Sequence, residues 1–212
     1  MAARASLLQR YFAWLMAQVS GRYNTEFGPL KQALLGELEG TVLEIGPGTG
    51  PNLAFFPPGV QWIGLEPNPG MHERLHHEAA RLGLEIELRP DPADAMQVAD
   101  ASVDAVVSTL VLCSVPDVGG TLREVHRVLR PGGRFVFLEH VAAERGTWLR
   151  RAQRIARPAW RALNDNCHPD RETARAIERA GFVDLRIETL DGPLPIPLIK
   201  PHIAGTARKP IA

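Results

Sequence analysis

Residues 42–50 read Val-Leu-Glu-Ile-Gly-Pro-Gly-Thr-Gly, a short apolar run that passes straight into three glycines at alternate positions. Such a run suits a strand buried on both faces. Alternating glycines let the backbone turn sharply and approach a ligand closely where a strand gives way to a helix. Their phase is informative. In a G-x-G-x-x-G dinucleotide loop the third glycine would fall on Pro51 counting from Gly46, or on Leu53 counting from Gly48, so that fingerprint fails. An acid followed by G-x-G-x-G fits instead, with Glu44 ahead of Gly46, Gly48 and Gly50.

Outward from this loop, strand and helix patterns alternate. Short β-branched or apolar runs predict strands at Thr41–Ile45, Val60–Leu65, Leu84–Arg89, Val103–Ser108 and Arg134–Glu139. Between them, helical spacing covers Gly70–Leu82 and Val118–Leu129, the second stopped by Arg130-Pro131-Gly132-Gly133. A further helix is expected over Asp170–Ala180, closed by Gly181, then an antiparallel pair at Phe182–Glu188 and His202–Arg208 joined by the proline-rich loop Gly192–Pro201. Ahead of the glycine loop, residues 5–20 predict an amphipathic helix, Ser20-Gly21 a break, and Pro29–Leu38 a second helix. The expected fold is therefore α/β: a doubly wound, Rossmann-like, seven-stranded and mostly parallel sheet with an antiparallel C-terminal strand. Residues 1–39 form an N-terminal helical extension or lid, and residues 40–212 form the main domain.

Bulk composition narrows the function. Lys plus Arg and Asp plus Glu number 24 each, so no global field recruits nucleic acid. The longest early apolar run, Tyr11–Ala17, is far shorter than the ~20 residues of a spanning helix. The two cysteines, Cys113 and Cys167, stand far apart and outside any C-x-x-C spacing, which makes a reducing cytoplasm the expected location. His72-Glu73-Arg74-Leu75-His76 spells the zinc pattern H-E-x-x-H. Met71, Leu75, Ala79 and Leu82 form the buried stripe of that helix, however, which turns the imidazoles outward, and no metal is expected there.

Glu66 ends the second predicted strand, twenty-two residues after Glu44, where a carboxylate can accept from both hydroxyls of a ribose. Asp94-Ala95 follows the third strand, at the place that meets an adenine edge, with Asp91 as a rival. Around them, Pro47, Asn52, Pro67, Asn68, Thr109 and Leu110 complete the expected cofactor-binding set.

The chain resembles class I methyltransferases through LEIGPGTG, GLEPNP, EVHRVLRPGG and FLEHV. It is most similar to the methyltransferase-like seven family of alkyl-thiol S-methyltransferases through Thr109–Val115, Glu139-His140-Val141, the Cys167 region before Arg171-Glu172-Thr173, and Pro201-His202-Ile203. The resemblance implies S-adenosylmethionine as cofactor and a small apolar acceptor, foremost a thiol. N-methylation of a phospholipid head group or small amine is the alternative. The sequence departs from the family at Pro47 (a cysteine in the family), at Glu66 (its ribose aspartate) and at Cys167-His168 (its Cys-Cys pair). The family's apolar anchor ahead of the catalytic domain is not seen here.

Methyl transfer from a sulfonium asks the protein for proximity and a dry pocket more than for covalent chemistry. A thiol of pKa ~8.5 already ionises by a few per cent at neutral pH, so a modest base suffices. His140 closes the fifth strand at the ligand-bearing edge and is the first candidate, with Asp165 and His168 from the irregular stretch before the next helix. Tyr11 and Tyr23, with Cys113, Cys167 and His202, are the expected pocket lining. The arginines of Arg145–Arg161 mark a basic amphipathic helix, a possible weak contact with an anionic membrane surface. No obligate protein partner is inferred.

Overall fold

A computed structural model describes residues 5–211. In chain order the elements are α1 (Leu7–Leu35), β1 (Thr41–Ile45), β2 (Gln61–Leu65), α2 (Pro69–Leu82), β3 (Glu87–Arg89), β4 (Val103–Thr109), α3 (Val118–Val128), β5 (Leu129–His140), α4 (Trp148–Leu163), α5 (Thr173–Glu178), β6 (Val183–Asp191) and β7 (Pro201–Arg208). The strands form one seven-stranded sheet in the order β3-β2-β1-β4-β5-β7-β6. β7 pairs antiparallel with both β5 and β6, and the remaining pairs are parallel. The strand order reverses between β1 and β4. Ligands of open α/β sheets sit at such a switch point, beyond the carboxyl ends of the strands.

Alternation along the strands sends side chains to both faces. Leu43 and Ile45 of β1 join Val106, Phe135 and Phe137 in a core closed by α3 and α5 through Leu122, Val125, Val128 and Ile177. On the other face Val42, Val107 and Val136 pack against Leu35 and Leu38, while Trp62 meets Leu75 and Ala79 of α2. Tyr23 and Phe27 of α1 pack against Leu138 and Ala204.

Two local expectations are corrected. α1 does not break at Ser20-Gly21 but runs unbroken through both Gly21 and Pro29. Those two residues cost ~1 and ~3 kcal/mol of intrinsic helix preference. Burial of Tyr23, Phe27 and Leu35, spaced four and then eight apart on one stripe, returns about 1.5–3 kcal/mol each and outweighs that cost. β5 likewise starts at Leu129, ahead of Arg134, because Leu129 already pairs with Val103 before the register shifts to Ala105 opposite Arg134. Arg130-Pro131-Gly132-Gly133 is thus an irregularity within a strand rather than the gap before one. Gly192–Pro201 is a loop as expected, with one 3-10 turn at Pro197–Ile199. Among the described residues no helix is long and apolar enough to cross a membrane.

Candidate active site

A cavity of about 390 Å³ opens over the carboxyl ends of β1, β2 and β4. One wall is the glycine loop. Gly46, Gly48 and Gly50 all adopt positive φ, at 57°, 58° and 84°. A Cβ on Gly46 would come within 2.7 Å of a Val111 methyl, whereas one on Gly48 would point into open space, where a ligand can reach the backbone. The Gly50 N–H donates to the Pro47 carbonyl and closes the turn.

Glu66 anchors this wall. Its Oε2 accepts the Gly48 N–H at 2.9 Å and its Oε1 accepts the Asn68 N–H at 2.8 Å. Each oxygen keeps lone-pair capacity for a ribose hydroxyl. Burial raises the Glu66 pKa, against those two backbone donors. Glu44 serves a different purpose. Its oxygens take the Asn52 amide at 2.7 Å and the Trp62 indole N–H at 3.0 Å, so it braces the loop from beneath. Burial lifts its pKa to about 7, opposed by those bonds and by Lys31. Asn52 also donates to the Thr109 hydroxyl at 3.0 Å, and its buried Oδ1 has no protein partner.

The facing wall comes from α1, through Phe12, Met16, Val19, Tyr23 and Lys31, and from Leu110, Val111 and Val115 after β4. Lys31 was not foreseen. It lies 2% exposed in the stripe Tyr23–Phe27–Lys31–Leu35, donates to Asn24 Oδ1 at 2.7 Å, and Asn24 in turn donates to the Pro51 carbonyl of the glycine loop. Burial lowers its pKa to about 8, with Glu44 pulling the other way. A lysine within an apolar i, i+4 stripe was the available signal.

Other expected cofactor residues divide between wall and frame. Pro47, Pro67, Asp94, Thr109 and Leu110 line the cavity. Gly50, Asn68 and Ala95 do not: Asn68 caps α2 through Gly70, and the exposed Ala95 gives its N–H to Pro92. Pro92 and Ala93 take Ala95's place in the wall.

The acceptor-side expectations need more revision. Tyr11 turns outward at 52% exposure, and its neighbour Phe12 faces the cavity, because one residue rotates a helix position by about 100°. Tyr23 and Asp165 do line the cavity, together with Asn166. His140, Cys113, Cys167 and His202 lie buried behind that wall, and His168 lies outside it. His140 Nε2 meets Cys167 Sγ at 3.1 Å, and the Trp160 indole donates to the same sulfur at 3.1 Å. Cys113 and Trp160 pull the Cys167 pKa down against burial, while Cys167 and burial push Cys113 well up. Burial opposes a charged His140, but Cys113 and Glu139 outweigh it and its pKa rises. His168 is lowered to about 4 by burial and by Arg171 and Arg161, so its ring stays neutral at pH 7, and its backbone N–H donates to the Cys113 carbonyl.

His202 Nδ1 contacts the Lys200 carbonyl at 3.0 Å, which puts the proton there and leaves Nε2 to accept the Tyr23 hydroxyl at 3.1 Å. Burial drops the His202 pKa to about 4. Between that value and the unfolded ~6.5 the unfolded chain binds the extra proton, so stability is present above pH ~6.5 and is lost on acidification through ~4, about 3 kcal/mol in all. Denaturant midpoints at about pH 4.5 and about pH 7 should differ less in His202→Gln than in the unaltered chain; an equal difference would refute the assignment. Glu44 tilts the other way, its contribution present below ~4.5 and lost as pH rises through about 7, and it is common to both proteins.

Nor is the arginine helix α4 a free cationic stripe. Arg150 donates to the Asp170 carbonyl and Glu172, Arg157 pairs with Asp170, and Arg161 holds Asn166. Three of its arginines thus fasten the loop that carries Asp165 and Cys167. In the H-E-x-x-H stretch, His72 bonds the Glu66 carbonyl at 2.8 Å while Glu73 and His76 are exposed.

A switch-point cavity with alternating glycines and a carboxylate at the end of β2 defines a class I S-adenosylmethionine-dependent methyltransferase. The comparisons agree. A family profile described as "Methyltransferase domain" matches residues 43–137. Human thiol S-methyltransferase TMT1A is 40% identical over 96% of this chain and 88% of its own length, and human TMT1B is 38% identical over the same shares. The chain belongs to this thiol S-methyltransferase family. The [4+2]-cyclase SpnF superposes with a TM-score of 0.71 at 19% identity, covering 88% of this chain and 81% of its own, which is a likeness of fold alone.

Proposed function

We propose that this enzyme methylates the sulfur of a small, apolar thiol. The observation that carries the reading is the acceptor-side wall, where Phe12, Met16, Val19, Val111 and Val115 surround the space with apolar surface. The identity to thiol S-methyltransferases over nearly the whole chain supports it. The cofactor supplies a sulfonium methyl, and transfer breaks that S–C bond as the acceptor sulfur forms a new one.

The residues present suit S-adenosylmethionine. Glu66 retains acceptor capacity for the ribose, Gly48 leaves room for close approach, and Pro92-Ala93-Asp94 walls the far end. Lys31 is the buried cation available to the amino-acid carboxylate. Tyr23 is a poor base, since burial raises its pKa, and its hydroxyl is spent on His202. Asp165 at the cavity, its pKa raised by desolvation, is the group placed to take the thiol proton. α1 acts as the lid that excludes water, and the free, buried cysteines suit a reducing compartment. Incubation with matched panels of alkyl thiols, amines and phenols, read by the mass of the product, tests the reading. Methylated thiol is expected; methylated amine beside untouched thiol would overturn it.

A further inference from the structure

Three side chains from separate parts of the sequence converge behind the Tyr23 wall. The ligand-type atoms of Cys113, His140 and Cys167 all lie within 4.8 Å of one another, and all three residues are buried. Tetrahedral zinc, with bonds of ~2.3 Å to sulfur and ~2.0–2.1 Å to nitrogen, holds its ligand atoms roughly 3.5 Å apart. To reach that spacing the widest separation must close and the His140–Cys167 contact at 3.1 Å must open slightly.

The frame around the cluster is built rather than loose. His168 N–H bonds the Cys113 carbonyl, Asn166 bonds the Ser114 carbonyl at 2.8 Å, and Arg171 spans the Leu112 and Val115 carbonyls at 2.6 and 2.7 Å. The two cysteine-bearing loops are thereby stitched together. Leu110, Asp165 and Asn166 hold positive φ to deliver them, a conformation that non-glycine residues adopt at a cost. Trp160 Nε1–H already donates to Cys167 Sγ at 3.1 Å, the kind of outer bond that steadies a metal-bound thiolate. His140 Nδ1 is buried without a hydrogen-bond partner among the described residues, and the ring's hydrogen bond is to the Cys167 sulfur at Nε2.

We propose that Cys113, His140 and Cys167 bind a thiophilic divalent cation, zinc, and that its fourth position takes the acceptor thiol. The second half of this proposal rests on the thiol reading above. Two thiolates neutralise the cation and suit its softness. Three protein ligands leave one place open, the arrangement of reactive rather than structural zinc. Leu110, Val111 and Ser114 on one loop and Asp165 and Asn166 on the other flank the cysteines and line the cavity, so the open place adjoins the cavity wall. On entry the acceptor's S–H proton passes to Asp165 as its sulfur binds the metal, which leaves a thiolate fixed for attack. Sequence spacing shows none of this, since no two of the ligands lie in one motif.

Cobalt(II) reports such a site without turnover. The full chain, reduced and stripped with chelator, is titrated with cobalt(II) in the absence of S-adenosylmethionine. One equivalent should develop thiolate-to-cobalt charge-transfer absorption. Cys113→Ser and Cys167→Ser should each abolish it, and His140→Asn should weaken uptake about tenfold or more. Circular dichroism and calorimetric S-adenosylmethionine affinity confirm that the variants remain folded. Absence of the absorption in the folded chain, its survival in both serine variants, or a Cys113–Cys167 disulfide with no cobalt uptake after reduction would each overturn the site. An alkyl thiol should alter the cobalt d–d spectrum, and an unchanged spectrum removes the fourth-ligand assignment. Thiol methylation without cobalt uptake defeats the metal site and leaves the function standing. Cobalt uptake with methylation of amines alone defeats the thiol function and leaves the metal site.

Discussion

Glu66→Ala should weaken S-adenosylmethionine binding by about a hundredfold or more, measured by calorimetry. The carboxylate has two tasks, and alanine abandons both. It offers the remaining lone pairs to the ribose hydroxyls, and a hydrogen bond to a charged group contributes about 1.5–3 kcal/mol. It also ties down the N–H groups of Gly48 and Asn68, which fix the glycine loop and the start of α2. Without it these two donors lose their acceptor and the loop loses its shape. Glu66→Gln separates the tasks. The amide oxygen keeps one acceptor, but its NH₂ now opposes a backbone N–H, so affinity should fall between the two. A Kd for Glu66→Ala within about threefold of the original would mean that the cofactor lies elsewhere.

Gly205→Ala should produce the largest loss of stability, about 3 kcal/mol or more, and lower Tm by roughly 6–12 °C. Gly205 lies midway along β7, opposite Phe137 of β5 on one side and Ile187 of β6 on the other. A Cβ there would stand 1.9 Å from the Arg186 carbonyl oxygen and 2.9 Å from Phe137 Cζ. The first obstacle is backbone and cannot rotate away, so β6 must shift. Thermal unfolding of Gly205→Ala measures the effect. A Tm within a degree or two of the original would show that β6 yields freely and that β7 is not clamped between its neighbours.

Both sites were legible to different degrees. Glu66 could be read from its position at the end of a strand, one β-α-β step after an acid-and-glycine loop. Gly205 could not, since nothing in Ala204-Gly205-Thr206 marks the strand as clamped. Lys31 was hidden within an apolar stripe whose burial only α1's packing reveals. The acceptor side was read least well. Tyr11 was one helix position from the true wall residue, and His140 reached the foreseen edge of the sheet yet lies beneath the cavity surface.

The sequence by itself determined the alternation of strands and helices, the glycine loop and the place of its acid. These are properties of consecutive residues, set by periods of two and 3.6 and by which residues tolerate positive φ. Tertiary structure alone decided that α1 is one helix, that Glu44 braces the loop through Asn52 and Trp62, and that Cys113, His140 and Cys167 meet. Those outcomes depend on burial and on contacts between residues far apart in the chain, such as the His140–Cys167 contact across 27 positions. No local pattern encodes such a meeting; it exists only once β4, β5 and the loop after α4 share one edge of the sheet.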